Sequence, residues 1–192
     1  MRRRKGLSFS KKRRNVNSYV VKEIGSWFLH VFVAVFFAVV VVYFFGMRTS
    51  VIGVSMENTL SSGQQILVNR LSYLLRGPKE GDIVVFRPGG NRNTHLYVKR
   101  VVAVPGDYIE IKDGRLFVNN IEVDYGYDKI MEAGIAETEL LLNNEEYFVM
   151  GDNCNNSEDS RSGNIGPVTK DMIEGRVWFR FGNTSSFIGF IK

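Results

Sequence analysis

One cysteine, four prolines and two histidines are all that 192 residues hold of three residue types that organise many small proteins. A single thiol, Cys154, excludes an internal disulfide and a cysteine-built metal site. His30 and His95 are too few for a zinc centre unless carboxylates complete it. Asp152, Glu158 and Asp159 lie close together in sequence, yet the spacing of a calcium-binding loop with its closing glutamate is missing. The residues therefore point to no metal and no organic cofactor. Internal repeats are also lacking, and from residue 47 onward no long amphipathic helical pattern occurs.

Positive charge is scarce outside one place. The formal net charge is +5, but residues 1 to 23 carry nine Lys and Arg against Glu23 alone, so the remainder sums to −3. A mildly acidic domain has no surplus cations with which to neutralise phosphates, which argues against a nucleic-acid partner. A basic arm, unpatterned over residues 1 to 18, suits the flank of a membrane instead. From Ile24 to Phe45 the chain is apolar apart from Ser26 and His30, and residues 24 to 46 suffice to cross a hydrocarbon core of ~30 Å as a helix. Valine and phenylalanine favour strands in water, but in lipid the backbone must satisfy itself, so a helix is expected. Trp27 and Tyr43 fall where the two interfaces would lie, and His30 sits close enough to one end to be interfacial. The run exceeds a cleavable signal, and no small-x-small site follows before Arg48. Cations concentrated ahead of the span place the N-terminus in the cytoplasm and the domain from residue 47 outside.

That domain reads as mainly β, with antiparallel coiled sheets or a barrel. Runs suited to strands are 65–69, 82–86, 96–104, 108–112, 115–118, 146–150 and 175–181, divided by turn residues. Asp113-Gly114 is the strongest hairpin signal. Residues 120–145, acidic and weakly patterned, read as a small variable insertion with one short helix near 129–142. The tail 186–191 is apolar and suited to packing on a sheet or touching lipid.

Three stretches could carry chemistry. Ser55 lies in G-V-S-M-E-N-T-L, residues 53–60, where Gly53 suggests close approach of the backbone. A serine hydroxyl is a poor nucleophile until a neighbouring base activates it. Lys99, in an extended run, shares a face with Tyr97 and Val101 while Val98 and Arg100 point the other way. Burial of that face would lower the lysine pKa towards that of a general base; exposure would leave an ordinary surface lysine. The third stretch, Gly151 to Arg161, has the Asp, Asn, Ser and Gly density of a loop that hydrogen-bonds to itself.

Together, S-M-E-N-T-L after a membrane-length run, then G-D-I-V-V-F, then Y-V-K-R-V-V-A-V-P-G-D, then M-G-D-N-C-N-N-S-E-D-S-R, closely resemble in order the motif boxes of the type I signal peptidases, over about residues 24 to 181. The resemblance implies a membrane-bound serine endopeptidase that removes signal peptides from preproteins through an acyl-enzyme, with Ser55 as nucleophile and Lys99 as base. It also implies that Ser157 hydrogen-bonds and orients the lysine and that Asp159 and Arg161 form a supporting ion pair. Arg100 is then structural, and Gly151, Asp152 and Asn153 shape the loop. Val51, Met56, Leu60, Tyr97 and Val98 would line shallow pockets for small substrate side chains. With Gly53 where some relatives place a serine, the Ser55 N–H becomes the main oxyanion donor. Partners are then preproteins and a phospholipid membrane, for a monomer anchored in the cell membrane by a single pass near the secretion translocon. Two positions depart from the family: Asn58 replaces the usual proline, which loosens the turn after the nucleophile, and Cys154 replaces the usual arginine. A family member that has lost or restricted its chemistry and assembles surface proteins such as pilins is the alternative.

Overall fold

A computed structural model of the chain describes residues 18–74, 76–91, 93–182 and 188–191. The basic arm, up to residue 17, lies outside the described residues. Contacts divide the chain into two compact units between Val40 and Val41. In the first, helix α1 (Ser18–Phe45) starts before Ile24, so that Lys22 and Glu23 are helical. Its stretch Tyr19–Tyr43 is unburied, and it is long and apolar enough to cross a membrane. The Ser26 carbonyl accepts from the His30 ring one turn on, at 2.6 Å from Nδ1.

Beyond the last residues of α1, the described part of the second unit is β-strand and short 3-10 turns. Its strands are β1 (Met47–Ser50), β2 (Gln65–Asn69), β3 (Ile83–Phe86), β4 (Tyr97–Ala103), β5 (Tyr108–Lys112) and β6 (Arg115–Val118), followed by β7 (Ile121–Glu122), β8 (Leu140–Leu141), β9 (Glu146–Met150), β10 (Val168–Thr169), β11 (Ile173–Arg180) and β12 (Gly189–Phe190). One sheet runs β1-β2-β11-β3-β4-β9-β10 with β12 beside β11, and curls into a half-barrel; a smaller sheet runs β7-β6-β5-β8. Every pairing is antiparallel. Asp113 and Gly114 join β5 to β6 with φ of 53° and 78°, the doubly left-handed turn that matches the twist of a two-residue hairpin.

The segment 120–145 is built of short pieces. No α-helix forms over 129–142: a 3-10 turn at Gly134–Ala136 and strand β8 take its place. Gly134 has φ of 58° and a Cβ there would lie 2.1 Å from the Arg161 carbonyl oxygen, so the chain is pinned where a helix would have to pass. Ile130, Ala136 and Leu142 are buried with Ile109, Leu116 and Phe148, which makes the segment a lid on the smaller sheet's core. In the tail, β12 pairs Phe190 with Phe179, and Ile191 packs on the core of the larger sheet; residues 183–187 lie outside the described residues.

Strand β3 sets the position of the site. It is buried on both faces, with Val84 and Phe86 in one apolar cluster and Ile83 and Val85 in another. Its neighbour β4 is therefore covered on both faces too, and the register places Val84 opposite Lys99. On its other side β4 pairs with β9, Arg100 opposite Met150, so the loop that leaves β9 begins beside the lysine. On the far side of β3, β11 meets β2 at Gly175, where a Cβ would lie 2.6 Å from the Asn69 carbonyl oxygen and 2.9 Å from a Val68 methyl. Gly175→Ala should therefore force the strands apart and cost about 1–3 kcal/mol, read as a lowered denaturant midpoint with unchanged slope.

Candidate active site

Ser55 stands in a turn that follows β1. Val51 extends the ladder one residue past that strand, donating to Gln64 at 2.9 Å and accepting from Gly63 at 2.8 Å. Gly53 then takes φ of 90°, a conformation costly for any other residue, and redirects the chain. Beyond Ser55, Met56 and Leu60 are wholly buried and anchor the turn, which closes through Glu57 N–H to Val54, Thr59 N–H to Met56 and Leu60 N–H to Met56. Asn58, where the turn was expected to be loosened, has φ of 81°. A proline ring holds φ near −65°, so this turn is a different conformation from one built on proline, and it is tied, not slack. Among the described residues nothing accepts the Ser55 N–H, which leaves it available to a ligand oxygen.

Lys99 Nζ lies 2.6 Å from Ser55 Oγ. The lysine is 3% exposed, on the same face of β4 as Tyr97 and Val101, as strand alternation requires. Loss of water pushes its pKa from 10.5 down to about 8, against the opposing influence of Asp159 and Glu158. As a neutral amine it accepts the serine proton; as an ammonium it can only donate.

The loop after β9 closes over this pair. Gly151 must be glycine, since a Cβ would fall 2.3 Å from Ser157 Oγ and 2.5 Å from the Ser55 carbonyl oxygen. Asn153 holds the nucleophile's turn from behind: its N–H donates to the Ser55 carbonyl at 3.0 Å and its amide to Val54 at 3.2 Å. Asp159 is 1% exposed and receives Arg161 on both oxygens, at 2.8 and 2.9 Å. Its Oδ2 also accepts from Ser157 Oγ at 2.7 Å and from Gly151 N–H at 3.1 Å. The Ser157 hydroxyl thus donates to Asp159, and among the described residues no hydrogen bond joins it to the lysine. Arg100 points from the other face of β4 and grips Asp152 bidentately at 2.8 and 2.7 Å, while also donating to the Gly81 carbonyl. Cys154 is buried in the smaller sheet's core, and its carbonyl accepts from Arg161.

A cleft of about 450 Å³ opens onto the pair. Val51, Tyr97 and Val98 line it. Met56 and Leu60 do not: they form the core beneath the cleft, because a turn lacks the alternation that would bring them to its surface. Ile52, Val54, His95 and Glu158 also line the walls, and the sequence assigned none of them to a cleft. Ile52, 81% exposed beside Gly53, gave only the signal of a solvated loop. An activated hydroxyl, an unsatisfied N–H beside it and a largely apolar cleft suffice for acyl transfer from an extended peptide.

The left-handed residue of the nucleophile's turn gives a direct test. Asn58→Pro should cost more than about 1 kcal/mol and depress turnover, whereas Asn58→Gly should be nearly neutral; thermal denaturation and initial rates of both variants check this.

Over residues 24–182 the chain matches the model of the family described as signal peptidase, peptidase S26. It is 36% identical over 169 residues to signal peptidase I P of Bacillus subtilis subsp. natto, covering 82% of this chain and 89% of that one. To signal peptidase IB of Staphylococcus aureus (strain COL) it is 34% identical over 185 residues, covering 86% and 93%. A crystal structure of a signal peptidase I from Enterococcus faecalis, 28% identical, aligns with a TM-score of 0.42 over 53% of this chain and 97% of that one. With the family model spanning most of its length, the chain belongs to the signal peptidases of family S26 and is a serine endopeptidase.

Proposed function

We propose that this chain removes signal peptides from translocated preproteins with Ser55 as nucleophile and Lys99 as general base. The observation that carries the reading is the 2.6 Å contact between Ser55 Oγ and an amine whose pKa burial lowers to about 8. The neutral Lys99 amine takes the hydroxyl proton as Oγ bonds to the scissile carbonyl carbon. The Ser55 N–H receives the oxyanion, and the resulting ammonium returns its proton to the departing amine. A water, deprotonated by the same amine, then adds to the acyl-serine and releases the signal peptide, restoring the hydroxyl. Asp159 with Arg161, Asp152 with Arg100, and the Gly151–Asn153 segment position the pair and do not touch the peptide. Val51, Tyr97 and Val98 receive the small side chains before the cut.

Residues 1–23 serve as a cytoplasmic arm, 24–46 as the span, formed by α1 up to Phe45, and 47–192 as the catalytic domain outside the cell membrane. The excess of cations ahead of the span supports that orientation. Both members of the dyad come from one chain, so a monomer placed where translocated chains emerge can do the work.

Full-length protein in detergent, assayed on a preprotein peptide, tests this. Ser55→Ala and Lys99→Arg should each lower kcat/KM at least about 1,000-fold, the latter because a guanidinium stays charged. Equal cutting by the wild type and Ser55→Ala would sink the dyad and leave room for an assembly role.

The pH profile is a second test. A base whose pKa falls to about 8 is mostly protonated at pH 7 and mostly free at pH 9. In the wild type kcat/KM should therefore rise roughly tenfold per pH unit below the limb and level off above it. A profile flat from pH 6 to 10 would remove Lys99 from the role of base.

A further inference from the structure

Glu158 and Asp159 are consecutive, but their carboxylates go to opposite places. Asp159 turns inward and is held by Arg161. Glu158 is exposed and faces the cleft, where the Tyr97 O–H donates to its Oε2 at 3.4 Å. It forms no ion pair among the described residues. Of the other residues lining the cleft, only Lys99 and His95 can carry charge. In the reactive form Lys99 is neutral, so the Glu158 carboxylate is the one anion that a bound peptide meets.

From this placement we propose that Glu158 makes the cleft selective for preproteins with a basic side chain close to the scissile bond, and against those with an acidic one there. The proposal rests on the assignment of Ser55 and Lys99 as the dyad. An extended peptide turns alternate side chains to the same wall, so one position, and not its immediate neighbours, points at the Glu158 side. A lysine or arginine at that position lays its methylenes along the Tyr97 ring and brings its cation to the carboxylate. An acidic side chain there meets like charge beside an apolar wall, and the repulsion acts as an exclusion. Because Glu158 is exposed, each effect is modest, about two- to fivefold.

Glu158 also faces the base. Around the Lys99 amine stand Asp159, Glu158, Arg161 and Asp152, the three acids favouring the ammonium and the arginine opposing it. Asp159 and Asp152 are each committed to a guanidinium, which leaves Glu158 as the acid that can be altered without breaking a buried pair.

The test uses full-length protein in detergent and a peptide series in which Ala, Lys or Glu occupies one position at a time on both sides of the cut. In the wild type one position should favour Lys over Ala by about two- to fivefold and disfavour Glu by a similar factor, both shrinking in high salt. Glu158→Gln should flatten that preference and Glu158→Lys should invert it at the same position. Ratios within one variant do not depend on how much active protein survives, so poor folding of either does not blur the result. The kcat/KM limb of Glu158→Gln should also move to lower pH, which a purely structural role would not produce. Cutting with the same Lys-to-Glu ratio at every position in all three proteins would overturn this proposal alone. No cutting of any peptide by the wild type would overturn the dyad assignment with it.

Discussion

Stripping water from one amine is the constraint that organises this domain. Lys99 lies among three carboxylates, any of which would hold it as an ammonium if free to do so. Burial wins because the two inward acids already have partners. Asp159 is gripped on both oxygens by Arg161, and Asp152 on both by Arg100. A guanidinium stays charged throughout the working range of pH, so neither pair opens as the lysine titrates. Buried ion pairs are weak stabilisers once desolvation is counted. Their effect here is partial compensation: Asp159 and Asp152 still favour the ammonium, and Arg161 offsets part of that pull.

One loop serves both members of the pair. It leaves β9, and the β4–β9 register delivers its first residue alongside Lys99. Gly151 lets the loop pass within contact of the Ser55 carbonyl and of Ser157 at once, space that no side chain could share. Asn153 then fixes the nucleophile's turn through two hydrogen bonds. Three places distant in sequence are thereby held together, mainly by main-chain groups and a single buried carboxylate, Asp159. Acyl transfer at a weakly activated hydroxyl depends on that positioning.

Strands dense in β-branched residues and closed by turn residues were legible: 65–69, 108–112, 115–118 and 146–150 carry the expected bounds. Two-residue strands such as β8 and β10 have too few side chains for any alternation, and tertiary pairing alone creates them. The helix expected near 129–142 failed because Gly134 is pinned against Arg161, a contact made only after folding. At the site, a strand's period determines which face Lys99 shares, while the burial of that face was open in the sequence and comes from what packs on it. Met56 and Leu60 were placed on the wrong side because they lie in a turn, where sequence spacing does not specify direction. Glu158 was passed over for a related reason: within an Asp- and Asn-rich loop, the one acid facing a cleft has the same local signature as those facing inward or into water.

The two departures from the family's pattern alter what holds the site and leave the site itself in place. At residue 58, a ring that would fix φ is exchanged for a left-handed asparagine, yet the turn still closes through Leu60 N–H to Met56 at 2.7 Å. Thr59 beside it accepts from Arg180 on its carbonyl and from Arg100 on its hydroxyl. Those arginines belong to β11 and β4, the strands on either side of β3, so the sheet takes over the restraint that a proline would supply. At residue 154 a guanidinium gives way to a small thiol that packs into the smaller sheet's core, and Arg161 binds its carbonyl. In both places a main-chain carbonyl is bound by an arginine, Arg180 at Thr59 and Arg161 at Cys154. The Ser55–Lys99 contact forms with both Asn58 and Cys154 in place.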